Sequence, residues 1–399
     1  MHIEKSSLSG KIALPPSKSH TMRALVLASL AKGSSRIHNY LPSPDVDHMI
    51  EALRKLGARV EKKQSIEVQG GLSPKAGTID AGNSGIVYRF AGALAALGNE
   101  RIELTGDDSI RNRRPISPLL SGVEQLGGET GKVWVKGPLC SGRAKLDGAL
   151  SQPVSALLIA ATALEGETEL EVTNPGEQPW IEVTLHWLRK MKVDVTHTNY
   201  EKYRVMGCAL QPFETTIPAD WSSAAFPIAA ALVTHSPLQI EGLDLDDVQG
   251  DKMIAQWFSS HLRGNLFVEP GPILGGTFDM NACIDAVPIM AVIGCFAKAP
   301  FHLINAGVAR KKECDRLHAI TKELRKMGGN VLEFEDRLTI YPSTLHGAHL
   351  DSHNDHRMAM ALAVAALGTG GCTIENTKCI QKSFPNFVEK FQNIGAKIS

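Results

Sequence analysis

The chain has 399 residues, enough for two ordinary domains with sizeable cores. Hydrophobic residues make up 43% of it, aromatic residues 6%, and the 42 Lys and Arg residues match the 42 Asp and Glu residues in number. This balance excludes a chain-wide attraction to nucleic acid or anionic lipid, so any cationic site has to be local.

The sequence lacks features typical of secreted and membrane proteins. Residues 1–19 contain no apolar run of the kind found in signal peptides, and the apolar stretch 286–297 is too short to span a bilayer. The seven cysteines are scattered, without a CxxC pair. We therefore expect a cytoplasmic protein with reduced thiols.

An amphipathic helix, usually a glycine, and then a short strand recur six times along the chain. The copies cover residues 49–61, 119–130, 184–197, 253–269, 319–335 and 387–399. Apolar residues at helical spacing predict a buried face, and the glycine predicts the helix end. Lys192 replaces the glycine in the third copy, and the fourth copy is poorly formed.

Helix–glycine–strand segments are common in α/β proteins, but here they recur about every 64 to 72 residues. This regular spacing predicts two domains of three units each. Proline clusters at 14–17 and 215–220 are the predicted crossing points, because proline restricts the chain where few contacts cross.

Five polar segments carry a cation beside a predicted helix or loop, and the first two precede helices early in the chain. In segment 14–31, Ser17 or Ser19 is the predicted cap, and Lys18 lies beside the positive helix end. A cation is unfavourable there unless an anion also binds. The second is a GNSG turn before a helix that carries Arg89. Either segment is also compatible with a solvated side chain and an ordinary turn.

The third and fourth segments contain clustered charges. Three arginines lie within residues 111–114, Arg114 being the last; such crowding suggests an anionic partner, and a solvated basic loop is the alternative. Lys312 and Arg316 are four residues apart, so a helix would place them on one face with Glu313 beside them. A surface helix with paired charges is the alternative.

The fifth segment is DSHNDHRMAM, in which Asn354 or Asp355 is the predicted cap of a long apolar helix. Arg357 would then lie at the positive end of that helix. His353 and His356 lack the further His or Cys that a zinc site needs, so we expect no metal ion. If these helix starts converge, they form a site for a small, highly charged anion.

Nine distinctive motifs are spread along nearly the whole chain. They are PPSKSHTMRA (15–24), GNSGIVYR (82–89), RRPISPLL (113–120), SQPVSALL (151–158), DWSSAAF (220–226), DAVPIMAV (285–292), RKKECDR (310–316), NDHRMAMA (354–361) and KSFPNF (382–387). In this order they resemble the motifs of the enolpyruvyl transferase family, and of its EPSP synthase (3-phosphoshikimate 1-carboxyvinyltransferase) branch in particular. RKKECDR and NDHRMAM are highly specific.

The resemblance implies an α/β fold with two lobes, each of three βαβαββ units in an inverse α/β barrel-like arrangement. The lobes would be 14–218 and 1–13 plus 219–399, with the active site in the cleft between them. The family transfers the enolpyruvyl group of phosphoenolpyruvate to the 5-hydroxyl of shikimate 3-phosphate and releases phosphate. This is a step of the shikimate pathway, which leads to chorismate and the aromatic amino acids.

The resemblance also implies roles for single residues. Phosphoenolpyruvate is expected to bind Lys18, Asn83, Gly85, Arg114, Gln152, Arg316, Arg357 and Lys382. Shikimate 3-phosphate is expected to bind Lys18, Ser19, Arg23, Ser151, Gln152, Asp285 and Lys312. Proton transfer is assigned to Asp285, Glu313, Lys18 and Lys312. The family is further expected to be monomeric and to need no cofactor, metal, nucleic acid or membrane.

The sequence departs from the family pattern at the acceptor phosphate. Leu150 stands where a phosphate-binding serine is usual, Glu177 replaces a second serine, and Trp180 replaces a tyrosine. Ile86 and Phe90 replace the usual threonine and proline in the helix that shapes the space for the herbicide glyphosate, so we expect weak inhibition by glyphosate.

Two alternatives remain at this stage. Leu150 and Glu177 favour an enolpyruvyl transferase that uses a different alcohol. A non-catalytic, RNA-binding relative fits less well, because the net charge is zero and no aromatic residues accompany the arginines. The loop SIRNRRP lacks the reactive cysteine of the sister enzyme acting on UDP-N-acetylglucosamine, which favours the shikimate branch.

Overall fold

The structure is a computed structural model that describes residues 1–264 and 266–399. It separates into two compact units. Residues Pro16–Pro218 form the N-terminal unit, and Met1–Pro15 together with Ala219–Ser399 form the C-terminal unit. In the described part of the chain, no helix has the length and apolar character needed to cross a membrane.

The described residues form short strands and helices in alternation. The strands are β1 His2–Glu4, β2 Lys11–Ala13, β3 Ser34–His38, β4 Arg59–Lys62, β5 Ile66–Gln69, β6 Gly77–Asp80, β7 Ile102–Thr105, β8 Glu129–Gly131, β9 Trp134–Lys136, β10 Arg143–Asp147, β11 Glu167–Thr173, β12 Val195–Thr198, β13 Lys202–Met206, β14 Glu214–Thr216, β15 Leu238–Glu241, β16 Leu262–Arg263, β17 Phe267–Val268, β18 Gly276–Asp279, β19 Phe301–Ile304, β20 Asn330–Glu333, β21 Leu338–Tyr341, β22 His349–Asp351, β23 Cys372–Glu375 and β24 Lys397–Ile398. The helices are α1 Lys18–Leu30, α2 Pro44–Lys55, α3 Gly85–Ala95, α4 Asp108–Asn112, α5 Ser117–Gln125, α6 Ser151–Ala161, α7 Gln178–Lys190, α8 Trp221–Val233, α9 Met253–Trp257, α10 Val287–Cys295, α11 Arg316–Lys326, α12 His356–Thr369 and α13 Phe387–Asn393.

Within the described residues the strands form six four-stranded sheets, three in each unit. In the sheet β6-β7-β9-β8, the first two strands are parallel and joined through α3, and the last two form an antiparallel hairpin. The sheets β10-β11-β13-β12 and β18-β19-β21-β20 repeat this order. The prediction of six βαβαββ units, three in each half, is therefore confirmed.

Three of the sheets take one strand from a distant part of the sequence. Strand β14 pairs in parallel with β3, although it follows β3 by some 180 residues, and β2 pairs in parallel with β15. Strand β1 pairs with β23 and β24. These three sheets are therefore complete, with four strands each, although their strands are not consecutive in the sequence.

Burial divides the helices into two kinds. In the C-terminal unit, α8 and α10 are buried along their whole length, and they pack against α12, whose apolar residues are also buried. In the N-terminal unit, α3 is buried throughout and packs against α6. Helices α2, α7 and α11 bury only one face, as the amphipathic pattern predicts.

The helix ends follow the predicted pattern. The glycines after helices α2, α5, α11 and α13 have φ between 88° and 103°, a left-handed conformation that glycine adopts without steric cost; they are Gly57, Gly127, Gly328 and Gly395. Lys192 adopts the same conformation (φ 59°) after α7. In the fourth copy the α-helix is the short α9, followed by the two-residue strands β16 and β17, and residue 265 lies outside the described residues.

Candidate active site

Four of the residues predicted to bind phosphoenolpyruvate meet in the N-terminal unit. A Cβ placed on Gly85 would lie 2.9 Å from Nη1 of Arg114 and 3.3 Å from Oε1 of Gln152. Nη2 of Arg114 donates a hydrogen bond to Oδ1 of Asn83 across 3.4 Å. Glycine at position 85 therefore allows the guanidinium and the amide to approach the first turn of α3.

Arg89 holds this group together, although no binding role was predicted for it. Its Nη1 donates to Oε1 of Gln152 across 2.6 Å, and its Nε and Nη2 donate to the carbonyl oxygen of Pro115 across 3.2 and 2.7 Å. Arg89 thus joins the start of α6 to the loop before α5. Its position one turn into the helix after GNSG was visible in the sequence, but its partners were not.

The start of α1 carries a lysine that is paired with a buried acid. Ser17, one of the two predicted caps, accepts the hydrogen bond of His20 N. Lys18 follows, and its Nζ lies 3.2 Å from Oδ2 of Asp45, in the first turn of α2. The Ser19 carbonyl accepts a hydrogen bond from Nη1 of Arg23 across 3.2 Å.

Arg23 joins α1 to α7 through a fully buried guanidinium. Its Nε donates to Oγ1 of Thr184 and its Nη2 to the carbonyl oxygen of Trp180, each across 2.8 Å. Burial lowers the pKa of Arg23 to about 9, so the side chain stays charged at neutral pH. The N–H groups of Arg23 thus donate hydrogen bonds to other residues of the N-terminal unit.

Glu177, the unusual residue of the acceptor region, is buried and turned toward α6. Its Oε2 accepts hydrogen bonds from the backbone N–H of Ser151 (2.9 Å) and from the Ser151 hydroxyl (3.1 Å). Glu177 itself has φ 48° and ψ 38°, and its side chain is 2% exposed. The carboxylate therefore occupies the N-terminus of α6, where Leu150 provides no side-chain cap.

In the C-terminal unit, one arginine contacts three acids. Nη1 of Arg316 donates to Asp285 across 2.6 Å, Nη2 to Glu313 across 3.0 Å and Nε to Asp355 across 2.7 Å. Arg316 is 1% exposed. Burial alone would raise the pKa of Asp285, but Arg316, Arg357 and Lys312 hold it well below its usual value. Asp285 is therefore a carboxylate at neutral pH.

Two further predicted cations adjoin these acids. Nζ of Lys382 donates to Oε1 of Glu313 across 2.6 Å, and Nη2 of Arg357 lies 3.7 Å from Oδ2 of Asp285. Asp355 caps α12, and its Oδ1 accepts a hydrogen bond from the backbone N–H of Arg357 across 2.8 Å. Nε of Arg357 has no hydrogen-bond partner among the described residues, although the side chain is buried.

The helical arrangement predicted for Lys312 and Glu313 is wrong. Both residues precede α11, which begins at Arg316 and is capped by Asp315, and Lys312 has extended backbone angles (φ −94°, ψ −151°). The short chain segment before the cap, rather than one face of a helix, brings Glu313 to Arg316. Lys312 is half-buried and acts electrostatically on Asp285.

A buried acid that the sequence analysis missed lies close to Asp285. Asp251 follows the short loop after β15 and is 1% exposed. Its Oδ2 accepts a hydrogen bond from the Ser222 hydroxyl, and its Oδ1 has no partner among the described residues. Burial and the charge of Asp285 raise the pKa of Asp251 to about 7. No signal in QGDK, the sequence around it, distinguished this acid from an exposed one.

The described residues contain no group of three or more His, Cys, Asp or Glu side chains arranged to hold a metal ion. His356, which we considered for zinc, lies with Nδ1 3.9 Å from Oε1 of Glu313. His353 bonds through Nε2 to Glu323 across 3.0 Å.

Comparisons with known proteins agree with the motifs. The profile of the EPSP synthase (3-phosphoshikimate 1-carboxyvinyltransferase) family matches residues 3–391. The chain belongs to the EPSP synthase family. A 3-phosphoshikimate 1-carboxyvinyltransferase of Chlamydia caviae is 42% identical, over 99% of this chain and 94% of that protein. A Chlamydia felis protein of the same name is 41% identical, over the same shares.

The solved structures of this and related families have the same fold. An EPSP synthase from Acinetobacter baumannii superimposes with a TM-score of 0.82 at 24% identity, covering 100% of this chain and 99% of that one. The enolpyruvyl transferase NikO from Streptomyces tendae superimposes with a TM-score of 0.78 at 18% identity, covering 100% and 97%. These likenesses establish the two-lobed enolpyruvyl transferase fold.

Proposed function

We propose that the protein transfers the enolpyruvyl group of phosphoenolpyruvate to the 5-hydroxyl of shikimate 3-phosphate and releases inorganic phosphate. Membership of the EPSP synthase family supports this activity. The observation that carries it is the cluster of Arg316, Arg357 and Lys382 with Asp285 and Glu313, because it combines cations for an anionic donor with acids for proton transfer.

In the first step, the 5-hydroxyl oxygen adds to C2 of phosphoenolpyruvate and C3 takes a proton, which gives a tetrahedral intermediate. We assign the hydroxyl to Asp285, because a carboxylate kept ionised by Arg316 and Arg357 can accept the hydrogen bond of the attacking hydroxyl and then its proton, as the bond from oxygen to C2 forms. We assign the proton at C3 to Glu313. Its bonds from Lys382 and Arg316 would stabilise the carboxylate left after proton transfer.

In the second step, C3 returns a proton to the Glu313 carboxylate and the bond from C2 to the phosphate oxygen breaks. The enolpyruvyl ether is formed, and the departing phosphate takes up the proton that came from the hydroxyl. Negative charge develops on the departing phosphate, and positioned cations lower the energy of that state. We assign this role to Arg114, Arg357 and Lys18, with Lys312 as a charged partner of the acids.

The first experiment measures phosphate release by the purified protein with phosphoenolpyruvate and either shikimate 3-phosphate or unphosphorylated shikimate. We expect release only with the phosphorylated acceptor. No release with either acceptor, from folded protein that binds phosphoenolpyruvate, would contradict the proposal. It would favour a different alcohol, the candidate suggested by Leu150 and Glu177.

A matched pair of variants tests the acid. Glu313→Gln keeps the shape of the side chain but cannot transfer a proton, so kcat should fall by about 10²- to 10⁴-fold. Glu335→Gln removes a carboxylate from an exposed position in the same unit and should leave kcat unchanged. Equal activity of the two variants would exclude Glu313 from the chemistry.

We also propose that the protein is a cytoplasmic monomer that binds no nucleic acid. The neutral net charge supports the last point. Light scattering after size-exclusion chromatography tests the mass, and retention of RNA at low salt would contradict the absence of nucleic-acid binding.

A further inference from the structure

The N-terminus of α6 is capped by a residue of another helix. No acid lies in the first turn of α6, and the side chain of Leu150 at the cap position has no atom that could accept a hydrogen bond. Glu177, 26 residues further along the chain, supplies the missing acceptor through its bonds to the N–H and hydroxyl of Ser151. Because a helix N-terminus attracts anions, the protein has placed its own anion there.

The same helix start carries two of the residues proposed to bind the acceptor, Ser151 and Gln152. Both are already engaged in this structure, Ser151 by Glu177 and Gln152 by Arg89. A phosphate group that uses the Ser151 donors therefore has to take them from the Glu177 carboxylate. The two anions cannot share the donors closely, because like charges repel when both are withdrawn from water.

We infer that Glu177 is an internal competitor of the acceptor phosphate, which makes it a specificity-determining residue of the acceptor site. The inference rests on the proposed function. The Glu177 carboxylate holds the Ser151 donors in the free protein, and the dianionic phosphate of the acceptor displaces it. An acceptor without a phosphate has no group of sufficient charge to do so.

The displacement needs rotation of a side chain rather than movement of a helix. The Gly176 N–H donates to the carbonyl oxygen of Gly148 across 3.0 Å, and a Cβ on Gly176 would lie 2.7 Å from the carbonyl oxygen of Ala149. Arg23 holds the carbonyl of Trp180 in the first turn of α7. The backbone on both sides of Glu177 is therefore fixed, and only the carboxylate is left to move.

The test compares Glu177→Gln with Glu182→Gln. The first variant keeps the shape but loses the charge, and a hydrogen bond to a charged acceptor is about twice as strong as one to a neutral acceptor. We expect the calorimetric Kd for shikimate 3-phosphate to fall about five- to tenfold and the KM for phosphoenolpyruvate to stay unchanged. Glu182 lies on the same helix, paired with Arg189, and its variant should behave like the wild type.

A purely structural role of Glu177 would give a different result. Loss of the cap would then lower the melting temperature and weaken the binding of both substrates together. Glu177→Ser is a second variant, whose fold circular dichroism checks, and it should also tighten acceptor binding. Unchanged or weaker binding of shikimate 3-phosphate by folded Gln and Ser variants would overturn the inference while the proposed function stands. If the wild type neither binds nor converts shikimate 3-phosphate, both fail.

Discussion

Asp251→Asn should stabilise the protein, and the gain should grow with pH. The carboxyl of Asp251 is buried and faces Asp285, Asp220 and Arg357, with the Cys283 thiol also within its field. Burial raises its pKa from 3.8 to about 7. In the unfolded chain the same acid ionises near pH 4. Between pH 4 and pH 7, Asp251 therefore takes up a proton when the chain folds.

The sign and size of the effect follow from this difference. Below about pH 4 the acid is protonated in both states, and it contributes no penalty. Between pH 4 and pH 7 this acid lowers the free energy of unfolding of the wild type by about 1.4 kcal/mol more for each pH unit. Above pH 7 the loss is constant at about 4 kcal/mol. Asparagine does not titrate, so it removes the penalty. Any change in the Ser222 hydrogen bond adds a constant at all pH values.

Melting temperatures of the wild type and the variant between pH 4 and pH 9 measure this difference. We expect the advantage of Asp251→Asn to rise up to about pH 7 and then level off. Asp246→Asn changes an exposed acid in the same loop and should show no such trend. A difference between wild type and Asp251→Asn that is the same at pH 5 and pH 8 would refute the reasoning.

Three further predictions concern the proposed phosphoenolpyruvate site. Arg357→Ala should raise the Kd for phosphoenolpyruvate by about 10- to 150-fold, through the loss of a hydrogen bond to a charged group, with circular dichroism confirming the fold; a near-normal Kd by calorimetry would exclude this residue. Gly85→Ala should raise the KM for phosphoenolpyruvate, because the added methyl meets the Arg89 and Arg114 guanidinium groups at 2.8 and 2.9 Å; steady-state kinetics with an unchanged KM would contradict this. Glyphosate should inhibit weakly, because Ile86 and Phe90 are buried at the start of α3; full inhibition at sub-stoichiometric glyphosate and modest phosphoenolpyruvate would count against it.

The repeat architecture could be predicted from the sequence because it depends on local rules. Apolar spacing and a residue that tolerates positive φ fix each helix and its end, and even Lys192 took the left-handed conformation expected of glycine. The helix predicted through Lys312 and Glu313 failed because Asp315 caps α11 and starts it later. Capping decides a helix start, and periodicity alone does not locate it.

Site residues were predictable in type but not in partner. The cations at helix starts were visible in the sequence, and so was Glu313, three residues from Arg316, whereas the other acids that pair with these cations lie tens of residues away. Asp355, for example, bonds to Arg316 across 39 positions. Asp251 was missed, and the bonds from Ser151 to the Glu177 carboxylate were not predicted, for a related reason, since burial of an acid depends on packing that no short segment encodes.

The two crossing points make one unit an insertion into the other. The N–H of Ser17 donates to the carbonyl oxygen of Pro218 across 2.8 Å, so the ends of the N-terminal unit are adjacent, and it is one continuous segment. The N–H of Asp220 donates to the carbonyl oxygen of Pro15 across 3.0 Å in the same way. Residues 16–218 could therefore be excised as a single piece, and a direct peptide link from 15 to 219 would close the remaining chain without moving either end far. A cut at the midpoint of the chain would instead fall inside the N-terminal unit and divide it.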